Sequence, residues 1–186
     1  PGLIVDRFNK VVVMQPNAFW TENMCKVIAR SIKEVCEIDV VIKNAAGRSR
    51  RLEGLDDKNS VFFGDIPEGA ISVPMNGAIY KADVISGQKT GLFYDQRQNH
   101  KFVASLAGGK AVLDVFCHVG GFGLAAIAAG ASNVSFLDSS ASALELVGVG
   151  AAEMKKSDSV NTLRGDAFAV MKELANSDHS YDIVIC

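Results

Sequence analysis

The segment between Val112 and Gly123 constrains the fold of this chain more than any other. It reads VLDVFCHVGGFG, an apolar stretch that ends in three glycines and leads into the apolar run 124–129. An apolar stretch with β-branched residues is typical of a strand buried on both faces, and the run after the glycines is typical of a helix. A helix that begins after a glycine turn offers free N–H groups and a positive dipole end to a ligand. The segment therefore predicts a ligand-binding turn, although such glycines can also serve tight packing alone.

The alternation of strand and helix continues through the rest of the sequence. Strands are predicted at 133–137, 160–163 and 181–185, with helices at 141–154 and 167–174. Strands that alternate with helices predict an α/β fold with a parallel, doubly wound sheet. Ligands of such sheets bind at the carboxyl ends of the strands. Since the glycine turn, Asp138 and Asp166 all fall at such ends, we expect them to form one site.

Two kinds of nucleotide ligand fit this site. Gly121-x-Gly123-x-x-Ala126 matches the dinucleotide pattern, and Asp138 stands where a ribose partner belongs. However, the four residues Cys117–Gly120 separate the strand from Gly121, whereas a pyrophosphate turn follows its strand directly. The longer loop, with Asp114 inside the strand, favours a ligand without a pyrophosphate. We therefore favour S-adenosylmethionine, with a nicotinamide enzyme as the alternative.

Composition narrows the class of protein. The 186 residues are 48% hydrophobic and 22% charged, with a net charge of −2, which is typical of a globular protein with one large or two small domains. No apolar run has the length of a membrane span, and no signal peptide is present. Four cysteines without C-x-x-C spacing and three scattered histidines favour neither a metal site nor disulfides, so we expect a cytoplasmic protein. Whether the protein forms a homodimer is left open.

Residues 1–85 predict a separate α+β domain. Strands are expected at 3–8, 11–15, 38–43 and 60–63, with a helix at 17–37 and a hairpin whose strands, 71–74 and 78–85, flank Asn76-Gly77. Apolar residues recur at helical spacing in the helix, and we expect this stripe to lie in the core: Trp20, Met24, Val27, Ile28, Ile32 and Val35.

Three arginines lie close together in a predicted loop of this domain. Arg48, Arg50 and Arg51 are candidates for contacts with RNA phosphates. Loose ion pairs with Asp56 and Asp57 in solvent explain the cluster equally well. The net charge of the region does not decide between the two interpretations.

A second motif, KTGLFYDQR, spans Lys89 to Arg97. Its glycine and aromatic residues lead into a helix predicted from about Asp95 to Ala107, with Asp95 as N-cap. An arginine in the first turn of a helix is unfavourable for the helix dipole. Arg97 therefore indicates an anionic partner.

These motifs, in this order, resemble the bacterial large-subunit ribosomal RNA (cytosine-C5) methyltransferases. The resemblance is carried by K-T-G-L-F-Y-D-Q-R, V-L-D-V-F-C-H-V-G-G-F and G-D-A-F, and by the opening P-G-L-I-V-D-R-F. It implies a Rossmann-like class I S-adenosylmethionine-dependent methyltransferase domain over residues 86–186. It also implies that residues 1–85 are a central domain that recognises RNA or substrate, with ribosomal RNA as partner. One departure is His118-Val119, which stands where the family usually has Tyr-Thr.

The resemblance also implies roles for individual residues in binding S-adenosylmethionine. Gly120 and Gly121 would line its methionine part, and Asp138 would bind the ribose hydroxyls. Asp166, with Ala167 or Phe168, would hold the adenine. The segment with Gly91, Asp95, Gln96 and Arg97 would close over the amino-acid end, where the Arg97 guanidinium suits a carboxylate. The remaining contacts are expected from Asp114, Phe116 and Ser139.

Methylation of cytosine at C5 requires a cysteine thiolate that adds to C6. In the family that this chain resembles, this cysteine and an Asp-Pro-Pro loop follow the fourth strand. We therefore expect the 186 residues to be a fragment without catalytic residues, in which Cys186 is not the nucleophile. The alternative from another class is a non-catalytic RNA-binding module, which would not bind S-adenosylmethionine.

Overall fold

The computed structural model describes residues 2–85 and 91–186, which divide into two compact units. The first unit contains the described residues up to Ile71 and those from Asp83 to Ile85, and the second contains Ser72–Ala82 and Gly91–Cys186. The hairpin segment Ser72–Ala82 therefore belongs with the second unit, whereas the sequence assigned it to the first domain. Residues 86–90 lie outside the described residues. This range begins at the predicted domain boundary, 85/86, and includes the first two residues of the KTGLFYDQR motif, Lys89 and Thr90.

The first unit is a four-stranded sheet with a long helix on one face. Its strand order is β1-β2-β3-β4, in which β2 and β3 are parallel and the outer pairs are antiparallel. The elements are β1 (Leu3–Phe8), β2 (Val11–Pro16), α1 (Phe19–Val35), β3 (Val40–Lys43), α2 (Arg48–Leu52) and β4 (Ser60–Phe63). The predicted strands and the predicted long helix are therefore present, whereas the arginine cluster lies on a short helix and not in a loop.

Helix α1 does not bury the predicted apolar stripe. Its buried residues are the small ones, Thr21, Cys25 and Ala29, which allow the helix to lie close to the sheet. Ile28 and Ile32 pack partly against the core, but the side chain of Trp20 is 61% exposed. The prediction that the stripe lies in the core is wrong for four exposed residues: Trp20, Met24, Val27 and Val35.

The second unit confirms the predicted α/β fold with a parallel sheet. The strand order is β10-β7-β8-β9, and every pair in this sheet is parallel. A short 3-10 helix, Tyr94–Gln96, precedes α3. The other elements are β5 (Ile71–Met75), β6 (Ala78–Ala82), α3 (Arg97–Leu106), β7 (Ala111–Val115), α4 (Gly121–Ala128), β8 (Asn133–Asp138), α5 (Ala141–Glu153), β9 (Val160–Arg164), α6 (Ala167–Ala175) and β10 (Ile183–Ile185).

The core of this unit surrounds α4. Strands β7 and β8 are buried on both faces, as parallel strands covered by helices must be. Residues Leu124–Ile127 of α4 are buried as well, because the helix packs against β7 and β8, against α3 and against β6. The start of α4 is thereby fixed at the carboxyl end of β7. The glycine turn lies at this point.

In the part of the chain that the structure describes, no helix is long and apolar enough to cross a membrane.

Candidate cofactor site

The loop between β7 and α4 has an unusual backbone. Phe116 and His118 adopt positive φ angles of 58° and 51°, and Gly120, the residue that caps α4, has a φ of 81°. Positive φ is costly for a side chain as bulky as phenylalanine, and such strain concentrates at functional sites. The cost indicates that the surroundings hold this loop in one conformation.

Asp114 lies beneath the loop, at the end of β7. Its side chain is 1% exposed, and its Oδ2 accepts a hydrogen bond from the Gly123 N–H at 2.8 Å. Burial raises the pKa of Asp114 to about 7, the Gly123 bond opposes this shift, and the negative charge of Asp138 adds to it. Its Oδ1 is buried and has no partner among the described residues. Asp114 therefore keeps an unused acceptor beneath the loop.

Two glycines of the turn are required by their neighbours. A Cβ at Gly121 would lie 2.7 Å from Nε2 of His100. A Cβ at Gly123 would lie 3.0 Å from Oδ2 of Asp114 and would overlap the ring of Phe136. The glycines thus serve tight packing of α4 on α3, β7 and β8, and the same packing brings the amides at the start of α4 to the site.

Asp138 connects the loops that follow β7 and β8. Its Oδ2 accepts from the His118 N–H at 2.8 Å, and its Oδ1 accepts from the Ser140 N–H at 2.9 Å. The next residue, Ser139, is exposed, and its carbonyl accepts from Nε of Arg164 at 3.4 Å. A carboxylate has lone pairs left after two such bonds, so Asp138 keeps acceptor capacity for a ligand.

The loop after β9 completes this edge of the sheet. Asp166 caps α6, since its Oδ1 accepts from the Ala169 N–H at 3.0 Å. Ala167 is buried, whereas Phe168 is exposed and meets the ring of Phe116 edge to face, with 6.2 Å between the centroids. The structure thus brings Asp166 and its two neighbours to the same edge as the glycine turn. An acidic cap and two exposed aromatic rings suit a flat, polar ring such as adenine.

The segment 91–97 lies against the glycine turn through one aromatic contact. The ring of Phe93 meets the ring of His118 edge to face at 5.3 Å. Gly91 is buried with a φ of 101°. The prediction that Asp95 caps the following helix is wrong, because the chain first makes a 3-10 turn and α3 begins at Arg97 with Gln96 as N-cap. The side chain of Arg97 is exposed, so its expected bond to a carboxylate stays a prediction.

The sequence analysis missed Tyr80 and His100. Tyr80 is fully buried, and its hydroxyl donates to the Gly121 carbonyl at 3.0 Å. The His100 ring stacks on Tyr80 at 6.4 Å and meets Phe122 edge to face at 4.5 Å. Burial raises the pKa of Tyr80 and lowers that of His100 to about 4. These contacts join distant parts of the chain, so no local pattern could have indicated them.

The arginine cluster lies in the first unit. The prediction that its arginines are candidates for RNA contacts is wrong for one of them, Arg50. Arg50 is 1% exposed, donates from Nη1 to Glu22 at 2.8 Å and to the Pro16 carbonyl, and donates from Nε and Nη2 to the Asp56 carbonyl. It is therefore not available to RNA. Although desolvation opposes it, the hydrogen bonds from Lys43 and Arg50 lower the pKa of Glu22. The other two arginines, Arg48 and Arg51, are exposed.

The described residues contain no group of three histidine, cysteine, aspartate or glutamate side chains that could hold a metal ion.

The fold agrees with comparisons to known proteins. A relative from Aeromonas hydrophila, named ribosomal RNA large subunit methyltransferase I, is 30% identical over 188 aligned positions that cover all of this chain and 47% of the relative. The chain thus spans about half the length of the curated relatives it matches. SMU.776, assigned as a methyltransferase and solved with SAH, has a TM-score of 0.82 at 21% identity, over 100% of this chain and 47% of its own. The tRNA m1G37 methyltransferase of M. jannaschii has a TM-score of 0.72 at 16% identity, over 100% and 54%.

A family model decides between the two ligands that the sequence left open. The model described as S-adenosylmethionine-dependent methyltransferase matches residues 38–185, which is most of the chain. The cofactor of that family is S-adenosylmethionine, so this expectation is confirmed and the nicotinamide alternative is set aside. The chain belongs to the S-adenosylmethionine-dependent methyltransferase family.

Proposed function

We propose that the protein transfers a methyl group from S-adenosylmethionine to C5 of a cytosine in large-subunit ribosomal RNA. The observation that carries the proposal is the similarity to the Aeromonas hydrophila ribosomal RNA methyltransferase, which extends over the whole of this chain. The motifs quoted above support the cytosine-C5 specificity by resemblance. The proposed activity is that of the whole protein, because the chain spans about half the length of such a relative.

The residues at the carboxyl ends of β7, β8 and β9 fit S-adenosylmethionine by their chemistry. Two carboxylates with acceptor capacity, Asp138 and Asp166, suit the ribose hydroxyls and the adenine amino group. The unpartnered Oδ1 of Asp114 suits a cationic donor such as the amino group of the methionine part. When bound, the cofactor supplies an electrophilic methyl group.

The protein's own residues bind and orient the cofactor. The N-terminus of α4, at Gly120 and Gly121, directs its dipole and its free amides towards the amino-acid end. The Arg97 guanidinium would hold the carboxylate. Phe116 and Phe168 would cover the adenine and exclude water from it. We do not assign the cysteine nucleophile to Cys186, an exposed residue directly after β10.

For RNA, we propose a surface formed by the start of α1 and by α2. Arg48 and Arg51 are exposed there, and so are the aromatic rings of Phe19 and Trp20. The Phe19 N–H donates to Oε2 of Glu53 at 3.2 Å, which ties the start of α1 to the end of α2. Exposed aromatic rings next to arginines suit single-stranded RNA, whose bases stack on the rings while the arginines meet phosphates.

Methyl transfer to purified ribosomal RNA tests the proposal. The full-length protein is incubated with protein-free large-subunit RNA and S-adenosylmethionine that carries a labelled methyl group. The RNA is then digested, and its nucleosides are identified by mass spectrometry. We expect label in 5-methylcytidine. Label in another nucleoside would contradict the cytosine-C5 specificity. Binding of the RNA with neither methyl transfer nor binding of S-adenosylmethionine would favour the RNA-binding module.

A further inference from the structure

Gly121, the first residue of α4, is contacted by side chains from two other elements of the second unit. The Tyr80 hydroxyl of β6 donates to the Gly121 carbonyl at 3.0 Å. The His100 ring of α3 fills the space that a Cβ at Gly121 would occupy, with Nε2 at 2.7 Å from the ideal Cβ position. Both side chains are almost completely buried. These two contacts therefore restrict the movement of the peptide at the start of α4.

A third side chain holds the first turn of the same helix. Asp114 of β7 accepts from the Gly123 N–H, so β6, α3 and β7 each hold the glycine turn at one position. Burial raises the pKa of the Tyr80 hydroxyl, and the negative charge of Asp114 adds to this shift. The three supports therefore act on one short backbone segment.

The hairpin that carries Tyr80 is anchored to α5. Oε2 of Glu153 accepts from the Ser72 hydroxyl at 2.8 Å and from Nζ of Lys81 at 3.2 Å. The Ile79 carbonyl lies against Gly150, where a Cβ would be 2.6 Å from its oxygen. A donor on an anchored hairpin holds its acceptor in place better than a donor on a mobile loop would.

The position of His100 next to Gly121 costs the folded protein some stability. Its Nδ1 is buried without a hydrogen-bond partner among the described residues. An unpaired buried polar atom lowers stability, and an apolar ring would avoid that loss. The His100 ring nonetheless contacts the rings of Tyr80 and Phe122 and lies against Gly121. This arrangement favours a role for His100 at the glycine turn.

We propose that Tyr80 and His100 are positioning residues for S-adenosylmethionine. They hold the Gly121 peptide so that the amides and the dipole of α4 meet the amino-acid end of the cofactor without rearrangement. Preorganisation of this kind increases affinity because little ordering is left to occur on binding. The inference rests on the cofactor-binding part of the proposed function and does not depend on which RNA is methylated.

The test compares Tyr80→Phe with the wild type in the full-length protein. The substitution removes one hydroxyl and keeps the ring. We expect the Kd for S-adenosylhomocysteine, measured by calorimetry, to rise roughly threefold to tenfold, as expected for one lost hydrogen bond. The KM for S-adenosylmethionine should rise by a similar factor, with little change in kcat. In the absence of ligand, the amides of residues 120–124 should exchange faster with solvent.

Tyr181→Phe is the matched control. Its hydroxyl meets Oγ of Ser135 at 3.0 Å, a tyrosine hydroxyl bond in the same unit that does not involve the glycine turn. The control should lower stability in a comparable way but leave the Kd within twofold and leave exchange at residues 120–124 unchanged. If Tyr80→Phe behaves like Tyr181→Phe in both respects, the positioning role is wrong.

The same experiment separates this inference from the proposed function. A wild type that binds S-adenosylhomocysteine but does not methylate ribosomal RNA contradicts the proposed function and leaves the positioning role standing. A wild type that does not bind S-adenosylhomocysteine contradicts both.

Discussion

At the scale of single residues, His100 and Asp114 are buried ionisable groups near the glycine turn. Their titration changes the free energy of unfolding in opposite directions as the pH changes. The pKa of His100 is lowered to about 4, so below about pH 6.5 the unfolded chain takes up a proton that the folded protein does not. This lowers stability as the pH falls from about 6.5 to about 4. The pKa of Asp114 is raised to about 7, so its contribution lowers stability as the pH rises from about 4 to about 7. The two contributions partly cancel.

Because of this cancellation, we predict the titration of His100 itself and not a change in unfolding. The imidazole should stay neutral down to about pH 5 in the folded protein, since burial disfavours its charged form. The measurement is a pH titration of the histidine ring protons by NMR, with the His100 signals assigned from a His100→Gln variant. A midpoint near the ordinary value of about 6.5 would show that the ring is accessible to water, contrary to its 3% exposure.

At the scale of elements, two glycines in α5 should respond in opposite directions to the same substitution. A Cβ at Gly148 meets nothing within 4 Å, so Gly148→Ala should stabilise the protein by about 0.5–1 kcal/mol through helix propensity. A Cβ at Gly150 would lie 2.6 Å from the Ile79 carbonyl oxygen, so Gly150→Ala should destabilise the protein. Denaturant unfolding of the two variants measures both effects.

Gly148→Ala serves as the control for Gly150→Ala, since both add one methyl group to one helix. If both variants were more stable than the wild type, β6 would not pack against α5 as described. Loss of cofactor affinity in Gly150→Ala alone would further connect the hairpin to the glycine turn.

The same elements illustrate what the sequence could and could not predict. The parallel sheet follows from local signals, because buried strands are continuously apolar and helices alternate with them. The positions of Asp138 and Asp166 followed from the general rule for the ends of parallel strands. The side of α1 that faces the sheet could not be predicted, since the helix approaches the sheet through Thr21, Cys25 and Ala29 rather than through its largest apolar side chains.

Long-range contacts account for the other differences between the predictions and the structure. Nothing in the segment Ser72–Ala82 indicates that its hairpin packs on α4 and α5, so the sequence grouped it with the preceding strands. The support of Gly121 by Tyr80 and His100 was missed for the same reason. Arg50 is buried against Glu22, which lies 28 positions away in the sequence. The sequence of an arginine cluster does not show whether its side chains are exposed or form ion pairs.

At the scale of the whole molecule, the proposed RNA surface predicts how affinity for ribosomal RNA depends on salt. Replacing the two exposed arginines, Arg48 and Arg51, by alanine should weaken binding of the RNA. Each arginine that neutralises a phosphate releases counterions from the RNA, and this favourable contribution is lost with the contact. Each lost contact should also reduce the slope of log affinity against log salt by roughly 0.7 to 0.9. The measurement is a filter-binding titration of the full-length protein with large-subunit RNA at several salt concentrations.

Arg50 provides the contrast within the same helix. Arg50→Ala removes the buried guanidinium that joins Glu22 of α1 to the Pro16 and Asp56 carbonyls, while Glu22 keeps its ion pair with Lys43. It should therefore destabilise the first unit by about 1.5–3 kcal/mol, the range for a hydrogen bond to a charged group. Its effect on RNA should follow the fraction of folded protein and not the number of phosphate contacts. If the double Arg48→Ala, Arg51→Ala variant stays folded and keeps the wild-type slope, the arginines are solvent-exposed residues without a role in RNA binding, and the surface at α1 and α2 has to be abandoned.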